Sequence, residues 1–159
     1  MKKSILILAA TILFACSKSN EIEEQQYNLE VGLEFSVFNS QNEDLLNPEN
    51  PNHLDVADIK LFYVINGEKQ EVYNPNLDSP RNFRIFKHEN EYRIGVSLNH
   101  ETSGKTMTYL QWNESDVDNI EATIKKTQNS LYSDEIWLNG IHIWERGDNT
   151  IDPYFILVK

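Results

Sequence analysis

A chain of 159 residues, 40% of them hydrophobic, is long enough for one hydrophobic core and too short for two domains of ordinary size. Its 25 acidic residues outnumber 14 lysines and arginines, and the formal charge of −11 disfavours nucleic acids and anionic membrane surfaces as partners. A single cysteine excludes an intramolecular disulfide and a cluster of metal-binding thiolates.

Residues 1–15 have the order of a bacterial secretion signal. A short basic start precedes an apolar run, residues 5–14, that is far shorter than the roughly 20 residues of a membrane-spanning helix. A small residue, Ala15, then stands before the only cysteine, Cys16. This order resembles the lipobox of bacterial lipoproteins, in which the cysteine is diacylated and the chain is cleaved before it. We therefore expect a signal peptide over residues 1–15 and lipid attachment at Cys16.

Residues 16–26 are mostly polar, and we expect them to form a flexible lipidated tether. Glu21, Glu23 and Glu24 follow soon after the cysteine and are similar to the surface-export signals of Bacteroidota lipoproteins. Cleavage before Cys16 leaves 12 basic and 25 acidic residues, a formal charge of −13. We expect an outer-membrane protein held by its lipid and displayed at the cell surface rather than on the periplasmic face.

Alternating apolar and polar residues in the rest of the chain predict half-buried β-strands. Residues 27–38 are predicted to form one strand, whose core-facing side consists of Leu29, Val31, Leu33, Phe35 and Val37. Residues 59–65 are apolar on both sides, which indicates a central strand. Asn66-Gly67 predicts a tight hairpin, because both residues tolerate positive φ, and the returning strand, residues 68–73, is polar enough for an edge.

A second hairpin is predicted between residues 83–86 and 91–98. A four-residue loop would place Ile85 opposite Tyr92, so that the apolar sides of the two strands agree. A three-residue loop would instead place the charged Arg93 opposite Ile85, and the apolar sides would no longer agree.

Residues 115–129 fit two structures. Val117, Ile120 and Ile124 have the spacing of a short helix, whereas Ile120, Ala122 and Ile124 alternate as in a strand. We favour a turn followed by a strand.

Strands are also predicted over residues 106–112 and 154–158, and Asn139-Gly140 predicts a third tight hairpin. Eight or nine short strands with turns at near-regular spacing predict an all-β fold. We expect a single antiparallel two-sheet sandwich over residues 27–159, with a short helix near residues 115–129 as the alternative.

Three stretches after the leader carry a resemblance. They are Asp44-Leu45-Leu46-Asn47-Pro48, Asn139-Gly140 with Trp144, and the ending Phe155-Ile156-Leu157-Val158-Lys159. Over most of its mature length the chain resembles small uncharacterised outer-membrane lipoproteins of Bacteroidota. The resemblance implies an immunoglobulin-like or related sandwich and assigns no catalytic residue.

No sequence motif indicates catalysis. The chain has no Gly-x-Ser-x-Gly elbow and no glycine-rich phosphate loop, and its one thiol is expected to carry lipid. Four histidines are scattered without metal-ligand spacing: His53, His88, His100 and His142. Residues 114–119 carry alternating oxygen ligands but lack the glycine and the glutamate of a calcium loop. We expect no cofactor, no metal site and no enzymatic activity.

The third hairpin offers one candidate binding surface. With a two-residue loop, the core-facing side of the hairpin consists of Ile136, Leu138, Ile141 and Ile143. The opposite side then holds the candidate surface, which consists of Glu135, Trp137, His142 and Trp144. Indole rings there could stack on a sugar or anchor a protein, while the glutamate and histidine supply hydrogen bonds. The alternative is that the long loop over residues 41–55 covers these rings.

These features predict a non-catalytic binding or adhesion module of the cell envelope. We expect the membrane as a partner through lipid on Cys16, a glycan or a protein as the ligand, and no nucleic acid. The alternatives are an accessory or structural subunit of an outer-membrane complex and a small inhibitor or immunity-type lipoprotein, and a hydrolase ranks last. The sequence carries no feature that predicts an oligomeric state.

Overall fold

The computed structural model describes residues 27–148 and 154–159, which form eleven β-strands and no helix. The strands are β1 (Asn28–Glu30), β2 (Gly32–Phe38), β3 (Lys60–Ile65), β4 (Glu68–Glu71), β5 (Phe83–His88), β6 (Glu91–Ser97), β7 (Gly104–Asn113), β8 (Asp116–Lys126), β9 (Ser130–Leu138), β10 (Ile141–Glu145) and β11 (Tyr154–Val158). A seven-stranded sheet has the order β1-β9-β8-β7-β3-β4, with β10 also paired to β9, and a four-stranded sheet has the order β11-β2-β6-β5. The two sheets pack as an unclosed sandwich, which confirms the predicted all-β fold.

Both sheets are mixed, whereas the turn residues predict antiparallel pairs alone. β1 runs parallel to β9, and β11 runs parallel to β2. Because a tight hairpin joins only antiparallel strands, turn residues do not predict a parallel pair. These two pairs join segments that lie far apart in the chain, which is why local alternation did not reveal them.

The predicted strand over residues 27–38 is divided between the two sheets. β1 and β2 lie on either side of Val31, which is buried and whose carbonyl oxygen accepts a hydrogen bond from the Leu98 N–H at 2.9 Å. At Val31 the chain passes from the seven-stranded sheet to the four-stranded sheet. Leu29 lies before this crossing, in β1, and although it was predicted to face the core it is 51% exposed. The core-facing prediction is confirmed for Val31, Leu33, Phe35 and Val37.

The core lies between the inner sides of the two sheets. Phe35 of β2 is fully buried, stacks on Phe155 of β11 with ring centres 4.7 Å apart, and meets the Trp112 ring of β7 edge-on at 6.3 Å. The largest fully buried side chains are Trp112, Phe35, Ile59, Leu61, Ile94, Leu98, Leu110, Ile120, Ile124, Ile136, Val37 and Val96. Apolar residues from both sheets therefore interdigitate in one core, as the chain length requires.

We expect Leu33→Ala and Ile94→Ala each to lower the free energy of unfolding by about 2–5 kcal/mol, the range for truncated buried aliphatic side chains. Leu33 is 4% exposed and Ile94 is fully buried, so each substitution leaves a cavity. Urea unfolding followed by circular dichroism measures the change. The control is Leu29→Ala, for which we expect a change within about 0.5 kcal/mol because this side chain is exposed. Unfolding curves unchanged by both core substitutions would show that the inner sides are assigned wrongly.

Both Asn-Gly hairpins are confirmed. φ is 55° at Asn66 and 85° at Gly67, and it is 50° at Asn139 and 81° at Gly140. β3 lies between β7 and β4, and β4 is an edge strand, as predicted. The ambiguous segment forms β8, so the strand interpretation is confirmed there and the helix alternative is wrong.

The second hairpin has a different register from the predicted one. Ile85 pairs with Ile94 rather than with Tyr92, and the loop has two residues, Glu89-Asn90, rather than four. The register differs by two residues, so the same side chains still face the core. Glu89 has a φ of 52° although it is not a glycine, which is why its residue type gave no sign of a turn. The pairing of β5 with β6, which continues to His88 and Glu91, compensates for the conformational cost of a positive φ at Glu89.

A buried ion pair fastens the third hairpin to the end of the chain. Asp118 of β8 is 6% exposed. Its carboxylate accepts hydrogen bonds from Trp112 Nε1 at 2.6 Å and Asn139 Nδ2 at 2.7 Å, and it lies 2.8 Å from Lys159 Nζ. Burial raises the pKa of this carboxyl, but the hydrogen bonds from Lys159, Asn139 and Trp112 outweigh burial, and the pKa lies below its ordinary value. The turn that carries the candidate surface is thereby held against β8.

Candidate binding face

The third hairpin follows the predicted register only as far as His142. This residue pairs with Trp137 as predicted, but Trp144 pairs with Ile136. One extra residue, Ile143, is inserted in β10 at this point and forms a β-bulge. Because side chains alternate between the two sides of a strand, the extra residue reverses the sides of the residues that follow it.

Trp144 therefore lies on the inner side of the hairpin, and its assignment to the candidate surface is wrong. Its half-buried ring packs against the core and lines a cleft of about 170 Å³ together with Leu33 and Ile136. The Arg146 guanidinium lies 5.7 Å from the ring centre. Ile141, predicted to face the core, is 69% exposed because it begins an edge strand.

Glu145 takes the place that was predicted for Trp144. It pairs with Glu135 across β9 and β10. One ligand atom from each of Glu135, His142 and Glu145 lies within 4.8 Å of the others, a cluster that the predicted register did not bring together. The only signal in the sequence was the adjacent apolar pair Ile143-Trp144, which interrupts the alternation in β10.

Trp137 belongs to a row of side chains that crosses the outer side of the seven-stranded sheet. Met107 of β7 pairs with Glu121 of β8, and Glu121 pairs with Trp137 of β9. His142 of β10 continues the row, with its ring centre 5.3 Å from that of Trp137. Lys105 Nζ forms an ion pair with Glu121 Oε2 at 2.7 Å. An aromatic ring, a carboxylate, an imidazole and an ammonium group therefore meet at one place.

Two further aromatic residues lie on this side of the sheet. Phe62 of β3 pairs with Tyr109 of β7, and Tyr109 lies two residues from Met107 and so on the same side. Asn119 of β8 pairs with Tyr109 and places an amide beside the phenol ring. We call the half-buried residues Phe62, Met107, Tyr109 and Trp137 the aromatic face. Sequence reasoning missed three of them, although β3 is apolar on both sides and residues 107 and 109 alternate with buried threonines.

Two lysines lie over the rings of the aromatic face. Lys69 Nζ is 4.2 Å from the centre of the Phe62 ring and 4.7 Å from that of Tyr109. Lys105 Nζ is 4.9 Å from the centre of the Trp137 ring, and its side chain is 62% exposed. A cation–π contact at an exposed site contributes only about 0.5–1 kcal/mol, so a ligand that replaces it can displace the lysine.

The long loop over residues 41–55 does not cover Trp137. Its backbone N–H at Leu45 donates to the Val37 carbonyl oxygen at 2.8 Å, and Asp44 Oδ2 accepts a hydrogen bond from the Tyr92 N–H at 2.8 Å. Both partners belong to the four-stranded sheet. The loop therefore closes one part of the core against β2 and β6, and the covering alternative finds no support in these contacts.

The predictions for the amino terminus lie outside the described residues. These are the signal peptide over residues 1–15, lipid attachment at Cys16 and the tether over residues 16–26. Among the residues that the structure describes, no helix is long and apolar enough to cross a membrane.

None of the protein-family models, curated proteins and solved structures compared with the chain matches it.

The aromatic face can hold a polar ligand that has flat apolar surfaces. Trp137, Tyr109 and Phe62 offer ring faces for stacking, while Glu121 accepts hydrogen bonds and Lys105 donates them. Such a combination can orient a ligand on the outer side of the sheet.

Proposed function

We propose that this protein is a non-catalytic, lipid-anchored binding module of the cell envelope and that its aromatic face binds a glycan. The observation that carries the proposal is the row in which Trp137 lies between Glu121 and His142. A sugar ring presents an apolar C–H face and a rim of hydroxyl groups. An indole can stack on the C–H face, while a carboxylate and an imidazole form hydrogen bonds with the hydroxyl groups.

The aromatic face is large enough to contact more than one sugar unit. Trp137 of β9 and Tyr109 of β7 are separated by β8, so their backbones lie at least roughly 10 Å apart, twice the spacing of neighbouring strands. Asn119 and Glu121 of β8 lie between them and supply polar groups along that distance. An extended oligosaccharide therefore fits the arrangement better than a single sugar.

Charge favours a glycan over a protein as the ligand. The cores of protein–protein interfaces are depleted in charged residues. The aromatic face is instead crossed by charged side chains, since Lys69 and Lys105 lie over its rings and Glu121 lies within its central row. Groups of this kind suit a ligand that carries hydroxyl or acidic groups on every unit.

Lipid on Cys16 would hold the module at the outer membrane, and we propose display at the cell surface. The basic start, apolar run and small residue before Cys16 support the anchor, and the glutamates over residues 21–24 support surface export. Residues 17–26 of the tether reach at most about 35 Å when extended. The binding face would then work close to the membrane, on glycans of the cell's own surface or of its surroundings.

One observation favours the alternative of an accessory subunit in an outer-membrane complex. β11 pairs on one side with β2 and ends the four-stranded sheet, and its Ile156 and Val158 are 52% and 63% exposed. An apolar edge strand is a common place for a partner chain to add a strand. Cross-linking in intact cells, followed by purification of a fixed membrane partner that Ile156→Lys releases, would favour this alternative.

We expect Trp137→Ala to weaken glycan binding at least about tenfold, as for an aromatic residue that dominates an interface. The full chain, purified in detergent, would be applied to a glycan array, and the best ligand would be measured by calorimetry. Tyr73→Ala is the matched control, since Tyr73 is 63% exposed and lies outside the aromatic face. Equal affinity of Trp137→Ala and wild-type protein, or no glycan retained by either, would contradict the proposal. Unfolding curves of both variants show whether the fold is intact.

A further inference from the structure

We propose that Glu135, His142 and Glu145 form a binding site for a divalent transition-metal ion, with Zn²⁺ as the ion that fits best. One donor atom from each side chain lies within 4.8 Å of the other two. The three residues come from two paired strands, β9 and β10, at one edge of the seven-stranded sheet. This site goes beyond glycan binding and does not depend on it.

The spacing of the donors is close to that of a bound ion. Zn²⁺ lies about 2.0–2.2 Å from imidazole nitrogens and carboxylate oxygens, so two donors in a tetrahedral site are roughly 3.4 Å apart. His142 and Glu145 are exposed, so small rotations of their side chains bring the donors to that distance. Glu135 is half-buried, and its Oε2 accepts a hydrogen bond from Thr123 Oγ1 at 3.2 Å, which orients the carboxylate and leaves Oε1 for a metal.

The β-bulge at Ile143 creates this cluster. In a regular hairpin Trp144 would lie beside Glu135, and Glu145 would lie on the opposite side of the strand. The inserted residue moves Trp144 to the opposite side and brings the Glu145 carboxylate next to that of Glu135. Bulges often turn a side chain toward a functional site in this way.

The donor set distinguishes among metals. Ca²⁺ and Mg²⁺ take oxygen ligands and do not favour an imidazole nitrogen, whereas Zn²⁺ accepts one nitrogen and two carboxylate oxygens. Two carboxylates also balance the charge of a divalent ion. Three protein donors leave at least one coordination position for water or for a further ligand.

Titration of the full chain with Zn²⁺, with no polyhistidine tag and with millimolar Mg²⁺ present, tests the site. We expect saturable binding of one equivalent, and we expect His142→Ala and Glu145→Gln each to weaken it at least about tenfold. The matched controls are His88→Ala and Glu68→Gln, which replace exposed residues far from the cluster. Losses of equal size in the controls would mean diffuse binding to an acidic surface and would overturn the proposal, as would a wild-type protein that binds no Zn²⁺.

Copper supplies a second readout that needs no change in the ligands. The His142 ring is 5.3 Å from Trp137, so Cu²⁺ at the site should quench the emission of that indole. We expect one equivalent of Cu²⁺ to quench a larger fraction of the emission in the wild type than in Trp137→Phe, which keeps Trp112 and Trp144. Equal fractional quenching of the two proteins would place the ion elsewhere. Zn²⁺ binding by Trp137→Ala, even if that variant has lost a glycan, would separate the two proposals.

Discussion

Asp118→Ala should lower the free energy of unfolding by about 3–5 kcal/mol, the loss expected when one partner of a buried ion pair is removed. The substitution removes the more buried of the two carboxylates beside Lys159 Nζ, whose side chain is 15% exposed. It also removes the acceptor of the Trp112 Nε1–H and the Asn139 amide. Chemical unfolding at neutral pH measures the loss.

Asp116→Ala is the matched control for this prediction. Asp116 also lies beside Lys159 Nζ, at 2.7 Å, but its side chain is 36% exposed. An exposed ion pair contributes only about 0–1 kcal/mol, so we expect a small effect. Similar losses for Asp118→Ala and Asp116→Ala would contradict the assignment of Asp118 as the centre of the network.

The network also makes stability depend on pH. Although burial opposes it, hydrogen bonding keeps the folded pKa of Asp118 below the unfolded value of about 3.9. The ionised carboxylate therefore stabilises the fold above the unfolded pKa, and this contribution is lost as pH falls through the folded pKa. The difference in stability between wild type and Asp118→Asn should be full at neutral pH and should shrink below about pH 4. If the difference in stability between wild type and Asp118→Asn stayed constant below about pH 4, the charge of Asp118 would not be its source.

Cys16→Ser should abolish lipid attachment and release the protein from membranes. Serine has no thiol to be diacylated, so the proposed lipid cannot be attached at this position. Incorporation of labelled fatty acid in a bacterial host, with partition between detergent and aqueous phases, measures the change. Ser17→Ala is the control and should keep both label and membrane association. Fatty acid on the Cys16→Ser protein would contradict lipid attachment at this residue.

Residue types predict those parts of the fold in which local chemistry decides the structure. Asn66-Gly67 and Asn139-Gly140 form tight turns because two residues with positive φ are needed there and these residues supply them. Alternation places Ile120, Ala122 and Ile124 in the core, since only one side of β8 can be buried. In such cases the local preference and the packed structure agree.

Other parts of the fold depend on packing between distant segments. Val31 marks the crossing between sheets, yet its residue type does not differ from that of its neighbours in the alternating pattern. The Glu89-Asn90 turn contains no glycine, so the length of the second hairpin loop could not be deduced from it. Parallel pairing of β11 with β2 likewise joins segments that are far apart in the sequence, so local patterns do not predict it.

The candidate site was predicted in part. Glu135, Trp137 and His142 lie together on the outer side, as the register at Asn139-Gly140 requires. Beyond His142 the bulge moves Trp144 inward and brings Glu145 out, because a single inserted residue reverses every later position. Tyr109 and Phe62 join the site only through pairing across β3, β7 and β8, which one hairpin cannot reveal.

The emission of Trp137 tests most directly whether the aromatic face binds a glycan. Trp112 and Trp144 also emit, and Trp112 is buried against Asp118, so the wild type should be compared with Trp137→Phe rather than with a variant that lacks the other two. Both proteins would be titrated with the oligosaccharide that the array selects. We expect a saturable change in the wild-type emission, at the concentrations at which calorimetry detects binding, and no such change in Trp137→Phe. A glycan that binds the wild type while leaving the Trp137 contribution unchanged would contradict the proposed face.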